Sequence, residues 1–360
     1  MLTIDFIAKG MQYSIPNSWD GLTPYHFQAL MRDIQRFAEG KISVGMVRVN
    51  YVCRIMGWNL QKIRNTDGWA NVAWLAEQVT FPFTIVYPDN DAALQELDSE
   101  TYRLCKKIPP HRLHGITISR YLDRLDYKYA VDSCFCKQLV PAIHLEDETF
   151  FAYNIETMFN RLTCSLTALQ FIEARGLLVC PKEQLPLLAA ILYYPDRYSS
   201  AGAHKLAQKF TGLPMDELIP IAFNFQAFIN YLFTKTEFKL LTELEETKVS
   251  AISTGALESL YNLSSDGFGD IETIEHMNVI QYLTILRKKI IDTVRSLHAA
   301  KMDKADIARE TRLPIHIINA LNPQLHSRSA TYIKRNGLLI RKITIKSSRP
   351  FQCAYHPLTP

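Results

Sequence analysis

Apolar residues recur three and four positions apart through most of this chain, in stretches that end at glycine or proline. In the first of them, Phe27, Leu30, Met31 and Ile34 share one face of a predicted helix that ends at Gly40. This spacing predicts a mainly α fold with a helical bundle-like body. The further stretches that we predict to be helical are 44–56, 69–79, 118–139, 150–175, 182–192, 201–211, 215–232, 257–262 and 271–297.

The start of the chain has a different period. Residues 2–6 and 11–15 alternate apolar and polar side chains on either side of Lys9-Gly10, which predicts a β-hairpin. Thr23-Pro24 then supplies an N-cap and a proline at the first helical position. A run bounded by prolines at 81–88 predicts one further strand.

At 360 residues the chain exceeds a typical single core, and its 48% hydrophobic and 21% charged content is that of a globular protein. Pro109-Pro110 is the clearest linker. We therefore expect three domains: residues 1–110 with the N-terminal hairpin and helices, 111–300 as a helical domain, and 301–360 as a basic end. No leader and no long apolar run is present, so we expect a cytoplasmic protein outside the membrane.

The charge is unevenly distributed. The net charge is +4, yet residues 301–360 alone carry eleven Lys and Arg against three acidic residues, or +8. Such an end suits an anionic partner, either nucleic acid or an acidic protein surface. The alternative is a solvated tail that aids solubility.

The residues that carry chemistry in other proteins form no complete set here. Cys134-x-Cys136 has no second cysteine pair nearby, as a zinc site would need, and His111-x-x-His114 has no third ligand. Gly267-x-Gly269 is followed by an acid, so we predict a turn before a helix that Asp266 or Asp270 caps, not a phosphate loop. We expect no enzyme, no cofactor and no metal.

Two aromatic clusters remain to be explained. They contain Tyr193 and Tyr194, and Phe223, Phe225 and Phe228. The neighbours of the phenylalanines are apolar and not basic, which favours a partner-protein surface or core packing over stacking with nucleic-acid bases.

Residues 303–321 resemble a helix-turn-helix, with Ile307, Leu313 and Ile317 among the apolar positions. Family members usually have glycine in the turn, where this chain has Arg312. The candidate contacts to bases are few, His316 and Asn319. A small three-helix packing unit of the same shape is the alternative.

After this unit, the sequence predicts a β-hairpin that turns at Asn336-Gly337. Its basic side chains suit either a ribbon on nucleic acid or a strand edge protected by lysines. They are Lys334, Arg335, Arg341, Lys342 and Lys346.

Three segments together carry a resemblance to a known family. They are the run 15–24, the runs 192–195 and 213–215 with the Phe223 cluster, and the run 265–270 with Met277-Asn278. They resemble proteins of phages and prophages of gut Bacteroidetes, which are similar to the tail assembly chaperones that accompany the tape-measure protein.

The resemblance implies a non-enzymatic protein that acts in virion morphogenesis. It implies phage structural or tail proteins as partners, with homo-oligomers as a further expectation, and a location in the host cytoplasm or in the virion. It supplies no catalytic residues. A nucleic-acid-binding protein that uses the basic end is the alternative function.

Overall fold

The computed structural model shows a mainly α protein, as the apolar spacing predicts. The contacts between Cα atoms divide the chain into two compact units, Met1–Thr242 with Glu246–Arg287 and Glu243–Glu245 with Lys288–Pro360. The structure describes residues 2–8, 10–63, 66–88, 94, 97–113, 118–159, 161–180, 182–242, 257–321, 332–335 and 338–341.

The first unit begins with the predicted hairpin, β1 (Thr3–Ala8) and β2 (Met11–Pro16), which pair antiparallel. Helix α1 (Pro24–Ala38) follows, and its N-cap Thr23 accepts a hydrogen bond from the His26 amide. Helix α2 (Val44–Met56) ends at Gly57, which takes the left-handed conformation with φ +66°. Helix α3 (Thr66–Gln78) confirms the third predicted helix.

A small antiparallel sheet begins after α3 in sequence. It pairs β3 (Phe83–Val86), which the prolines predict, with β4 (Lys128–Val131). Helices α4 (Ser99–Lys107) and α5 (Ser119–Leu122) lie between the two strands in sequence. Pro109 precedes a short 3-10 helix, Pro110–Arg112, and the division into three domains stays a prediction.

The predicted helix over 118–139 is wrong. After α5 the chain forms β4 and then an extended segment over 132–139. Hydrogen bonds from a distant helix satisfy the backbone of this segment: Asn224 accepts from the Leu139 amide at 2.6 Å, and Asn230 donates to the Ser133 carbonyl at 2.7 Å. The spacing of apolar residues within 118–139 gives no indication of these hydrogen-bond partners, because they lie far away in the sequence.

The predicted helix over 150–175 is wrong in its first half, where the chain forms two successive β-hairpins. They pair β5 (Ala142–Leu145) with β6 (Glu148–Phe151), and β7 (Ile155–Met158) with β8 (Arg161–Cys164). Threonines and aromatic residues, which suit strands, are dense here. Only α6 (Ala168–Leu177) is helical, and a capping box of Thr167 with Gln170 marks its start.

The centre of the unit follows the prediction closely. Helices α7 (Leu185–Leu192), α8 (Ser200–Phe210) and α9 (Met215–Lys235) lie where the glycine and proline residues of the sequence predict helix boundaries. A 3-10 helix over Glu237–Thr242 follows α9.

The long helix predicted over 271–297 is interrupted. After α10 (Glu258–Ser265), the structure has α11 (Ile271–Glu275) and α12 (Val279–Ala299). Between them the backbone bonds to the start of α6: the Ala168 amide donates to the Met277 carbonyl at 2.8 Å, and the Val279 amide to the Leu166 carbonyl at 2.9 Å. The expected cap at Asp270 is confirmed, since its carboxylate accepts from the Thr273 amide at 2.7 Å.

The second unit contains the end of α12 from Lys288, then α13 (Lys304–Thr311) and α14 (Ile315–Leu321). Ile307, Leu313 and Ile318 are its buried aliphatic residues in this helical pair. Strands β9 (Tyr332–Arg335) and β10 (Leu338–Arg341) pair in the register of the predicted hairpin. The predicted turn, Asn336-Gly337, lies outside the described residues.

No helix within the described ranges is both long enough and apolar enough to cross a lipid bilayer.

Candidate protein-binding surface

The predicted aromatic clusters lie mostly inside the first unit. Tyr193, Phe225 and Phe228 are buried, and the Tyr193 hydroxyl donates to the Val140 carbonyl at 2.5 Å. A partner reaches none of the three while the unit is folded. Their burial favours the core-packing interpretation, which the sequence left open.

The other two members of the clusters are half-buried. Phe223 packs beside Trp19 and Phe135, with ring centroids 5.4 and 6.2 Å away. Tyr194 packs edge-on against Tyr198 and lines a cleft of about 570 Å³. Tyr194 therefore borders a space that a ligand can enter.

Three of the large apolar side chains that reach solvent lie on the two hairpins after residue 141. Phe151 ends β6 and is 70% exposed, Met158 ends β7 and is 59% exposed, and Phe159 in the following turn is 93% exposed. The sequence does not reveal this surface, because the spacing of its residues predicts a helix over 150–175. The signal that was available is the asparagine at 160 between two runs of alternating residues.

Phe159 is also unusual in its backbone. Phe159 follows Met158, the last residue of β7, and has φ +49°. Asn, Asp and Gly are favoured in this left-handed region, because other residues incur a steric penalty of about 1–2 kcal/mol there. A bulky residue there is an outlier that points to a function at the position.

Phe159 stands at the wall of a groove of about 770 Å³. Arg161 and Leu162 of β8 continue that wall, and Tyr231 and Lys235 of α9 line the groove as well. The remaining lining comes from Thr157, Thr236, Glu237, Phe238 and Ile280. Because strands and a long helix supply most of the lining, its shape is held by the fold of the first unit.

The groove carries a surplus of positive charge. Glu237 forms an ion pair with Arg287 at 3.2 Å. Arg161 and Lys235 form no ion pair with any residue that the structure describes. An exposed apolar tip beside two unpaired cations is the arrangement that an acidic segment with apolar side chains would complement.

Cys136 of the predicted cysteine pair is hydrogen-bonded to Tyr231, one of the groove residues. Cys134 and Cys136 sit in the extended segment, and burial raises the pKa of the Cys136 thiol to about 11. A thiol of that kind stays protonated at neutral pH. Within the described ranges, no group of three or more His, Cys, Asp or Glu side chains is placed to hold a metal ion. His111 lies in the 3-10 helix after Pro109, and His114 lies outside those ranges.

The candidate nucleic-acid residues lie in the second unit. His316 and Asn319 are exposed on α14, and Asn319 accepts a hydrogen bond from Lys304 at 2.7 Å. Lys334 and Arg335 belong to β9 and Arg341 to β10. Lys342 and Lys346 lie outside the described residues.

Comparisons of the chain with protein-family models, curated proteins and solved structures found no match.

Proposed function

We propose that this chain acts by protein–protein interaction rather than by catalysis, and that it serves tail assembly in a phage or prophage. The observation that carries the interaction is Phe159. The left-handed backbone at Phe159 costs the folded monomer steric strain, and its exposed ring offers apolar area that only a partner can bury. The tail context rests on the resemblance of the three sequence segments.

The proposed contact has an apolar and a charged part. Met158 and Phe159 supply the apolar area, and aromatic residues at the centre of an interface commonly contribute most of its affinity. Arg161 and Lys235 orient a partner whose surface is acidic. The partner is then a phage tail or structural protein, in the host cytoplasm or in the virion, and a second copy of this chain is the competing outcome.

Site-specific photo-crosslinking tests the proposal in host cells that produce the encoding phage. The reactive analogue p-benzoylphenylalanine replaces Phe159 in one variant. In a matched control it replaces Val179, which is 91% exposed but follows α6 instead of a hairpin strand. We expect adducts with a tail-tube or tape-measure protein from position 159 and none from position 179. Equal labelling at both positions, no adduct, or adducts only with its own copies would contradict a tail partner.

A second candidate function, nucleic-acid binding, has the charge of the second unit in its favour. There a helix-turn-helix-like pair, α13 and α14, precedes a hairpin with Lys334, Arg335 and Arg341. Binding through phosphates predicts an affinity that falls steeply with salt. A gel-shift series on the full chain and on its Arg335→Glu, Arg341→Glu variant tests this, and equal binding by both would exclude it.

A further inference from the structure

Arginine side chains from two helices line a cleft of about 290 Å³ at the surface of the first unit. Arg32 and Arg36 come from α1, and Arg54 comes from the last turn of α2. Residues four apart on a helix lie on the same face, so Arg32 and Arg36 project beside each other. Tyr25 and Gln28, from the preceding turns of α1, add a hydroxyl and an amide to the lining.

A buried carboxylate holds part of this cleft in place. Asp33 is 3% exposed, and it accepts hydrogen bonds from Asn50 Nδ2 and from Arg54 Nη1, both at 3.1 Å. Asp33 therefore holds one side of the Arg54 guanidinium group in place. Its positive charge extends beyond Asp33, because it adds to the effect of burial in lowering the pKa of His26.

The two arginines of α1 are much less committed. Arg36 Nη1 lies 3.7 Å from Asp33, and Arg32 Nε lies 3.6 Å from Asp216. Both distances exceed that of a hydrogen bond. Their side chains are 53% and 60% exposed. Three guanidinium groups therefore face two carboxylates, and most N–H donors of the two exposed groups point to no acceptor among the residues that the structure describes.

We infer that this cleft binds a phosphate group, either as the free ion or as the monoester of a larger ligand. Guanidinium forks that approach from different directions suit the oxygens of a tetrahedral phosphate. A planar carboxylate accepts from one fork in its own plane and leaves the others unused. Binding exchanges two long ion pairs for charge-assisted hydrogen bonds, with Arg54 already in position.

Isothermal titration of the full chain at constant ionic strength tests the inference. The probes are inorganic phosphate, O-phosphoserine and acetate, the last a measure of attraction by charge alone. We expect millimolar binding of at least one phosphate probe and at least about tenfold weaker binding of acetate, a difference equivalent to about 1.4 kcal/mol. Tighter binding of O-phosphoserine assigns the cleft to monoesters, and tighter binding of inorganic phosphate assigns it to the free ion.

Paired variants locate the binding. Arg32→Gln with Arg36→Gln should weaken phosphate binding at least about tenfold. Arg295→Gln with Arg309→Gln removes the same charge from exposed arginines elsewhere and should leave it unchanged. The pair Arg32→Lys with Arg36→Lys keeps the charge, loses the forks, and should also weaken binding. No binding by the parent chain, equal affinity for acetate, or equal losses in the target and control pairs would overturn the inference.

Discussion

Replacing Phe159 with asparagine should make the folded protein more stable while it removes the proposed contact. The ring is 93% exposed, so the burial that the substitution forfeits is small, below about 0.5 kcal/mol at about 25 cal/mol per Å². The left-handed backbone costs a phenylalanine about 1–2 kcal/mol, and asparagine tolerates that conformation far better. The balance is a gain of about 0.5–1 kcal/mol in the free energy of unfolding of the first unit.

Urea denaturation followed by tryptophan fluorescence measures this gain. All four tryptophans lie between residues 19 and 74, so the signal reports the first unit. Phe159→Ala is the matched control, because it removes the ring but keeps the backbone penalty, and it should change the unfolding free energy by less than about 0.5 kcal/mol. The reasoning fails if Phe159→Asn destabilises the unit, or if Phe159→Ala stabilises it as much.

Three further outcomes follow from buried groups. Asn224→Ala should cost about 2–3 kcal/mol of unfolding free energy in the same urea assay, because it leaves the buried Leu139 amide without its acceptor; no change would mean that water replaces the side chain. Buried Arg48 leaves Nε and Nη2 without hydrogen bonds, but its guanidinium group lies over the rings of Phe83 and Tyr129, so Arg48→Met should change the unfolding free energy by less than about 1 kcal/mol, and a larger loss in the urea assay would contradict this. Burial raises the pKa of Cys164 to about 12, so its protonated thiol should resist iodoacetamide from pH 7 to 9, while exposed Cys180 alkylates; mass spectrometry that finds Cys164 labelled at the rate of Cys180 would refute the burial.

The helices that the sequence predicts well are those with local start and stop signals. Helix α1 begins after Thr23, whose hydroxyl caps it, and α2 ends at Gly57, whose left-handed backbone closes it. Each signal involves residues within four positions of one another. Such contacts form whatever the rest of the chain does, so reading them requires no knowledge of the fold.

The elements that the sequence mispredicts depend on distant partners. The extended segment 132–139 resembles a charged helix in its spacing, but its backbone hydrogen bonds go to Asn224 and Asn230 of α9. The hairpins over 142–164 carry short apolar runs, for which the helical and strand periods are hard to separate. The same error hid Phe159, so a surface that is evident in the structure was assigned to the outside of a helix.

For the candidate surface, the sequence pointed to aromatic residues of which Tyr193, Phe225 and Phe228 lie in the core. Phe225 and Phe228 recur at helical spacing on α9, and they pack against Tyr153 in the core. A dense apolar cluster on a helix is common in a core, whereas an isolated aromatic residue next to an asparagine in the sequence is not typical of one. Composition alone therefore favours the cluster as the binding surface. The backbone conformation and exposure of Phe159 favour Phe159 instead.

The extended segment also has a consequence for how the protein is made on the ribosome. Trp19 donates to the Asp132 carbonyl at 2.7 Å and packs against Phe135, while Phe223 of α9 covers the same ring. When residue 140 of a nascent chain leaves the ribosome, Phe223, which covers the Trp19 ring, has not yet been synthesised. Asn224 and Asn230, which bind the backbone of 132–139, are also still missing. The N-terminal helices therefore keep an apolar face exposed to solvent until about a hundred more residues have left the exit tunnel. A chain truncated before α9 should therefore aggregate rather than fold.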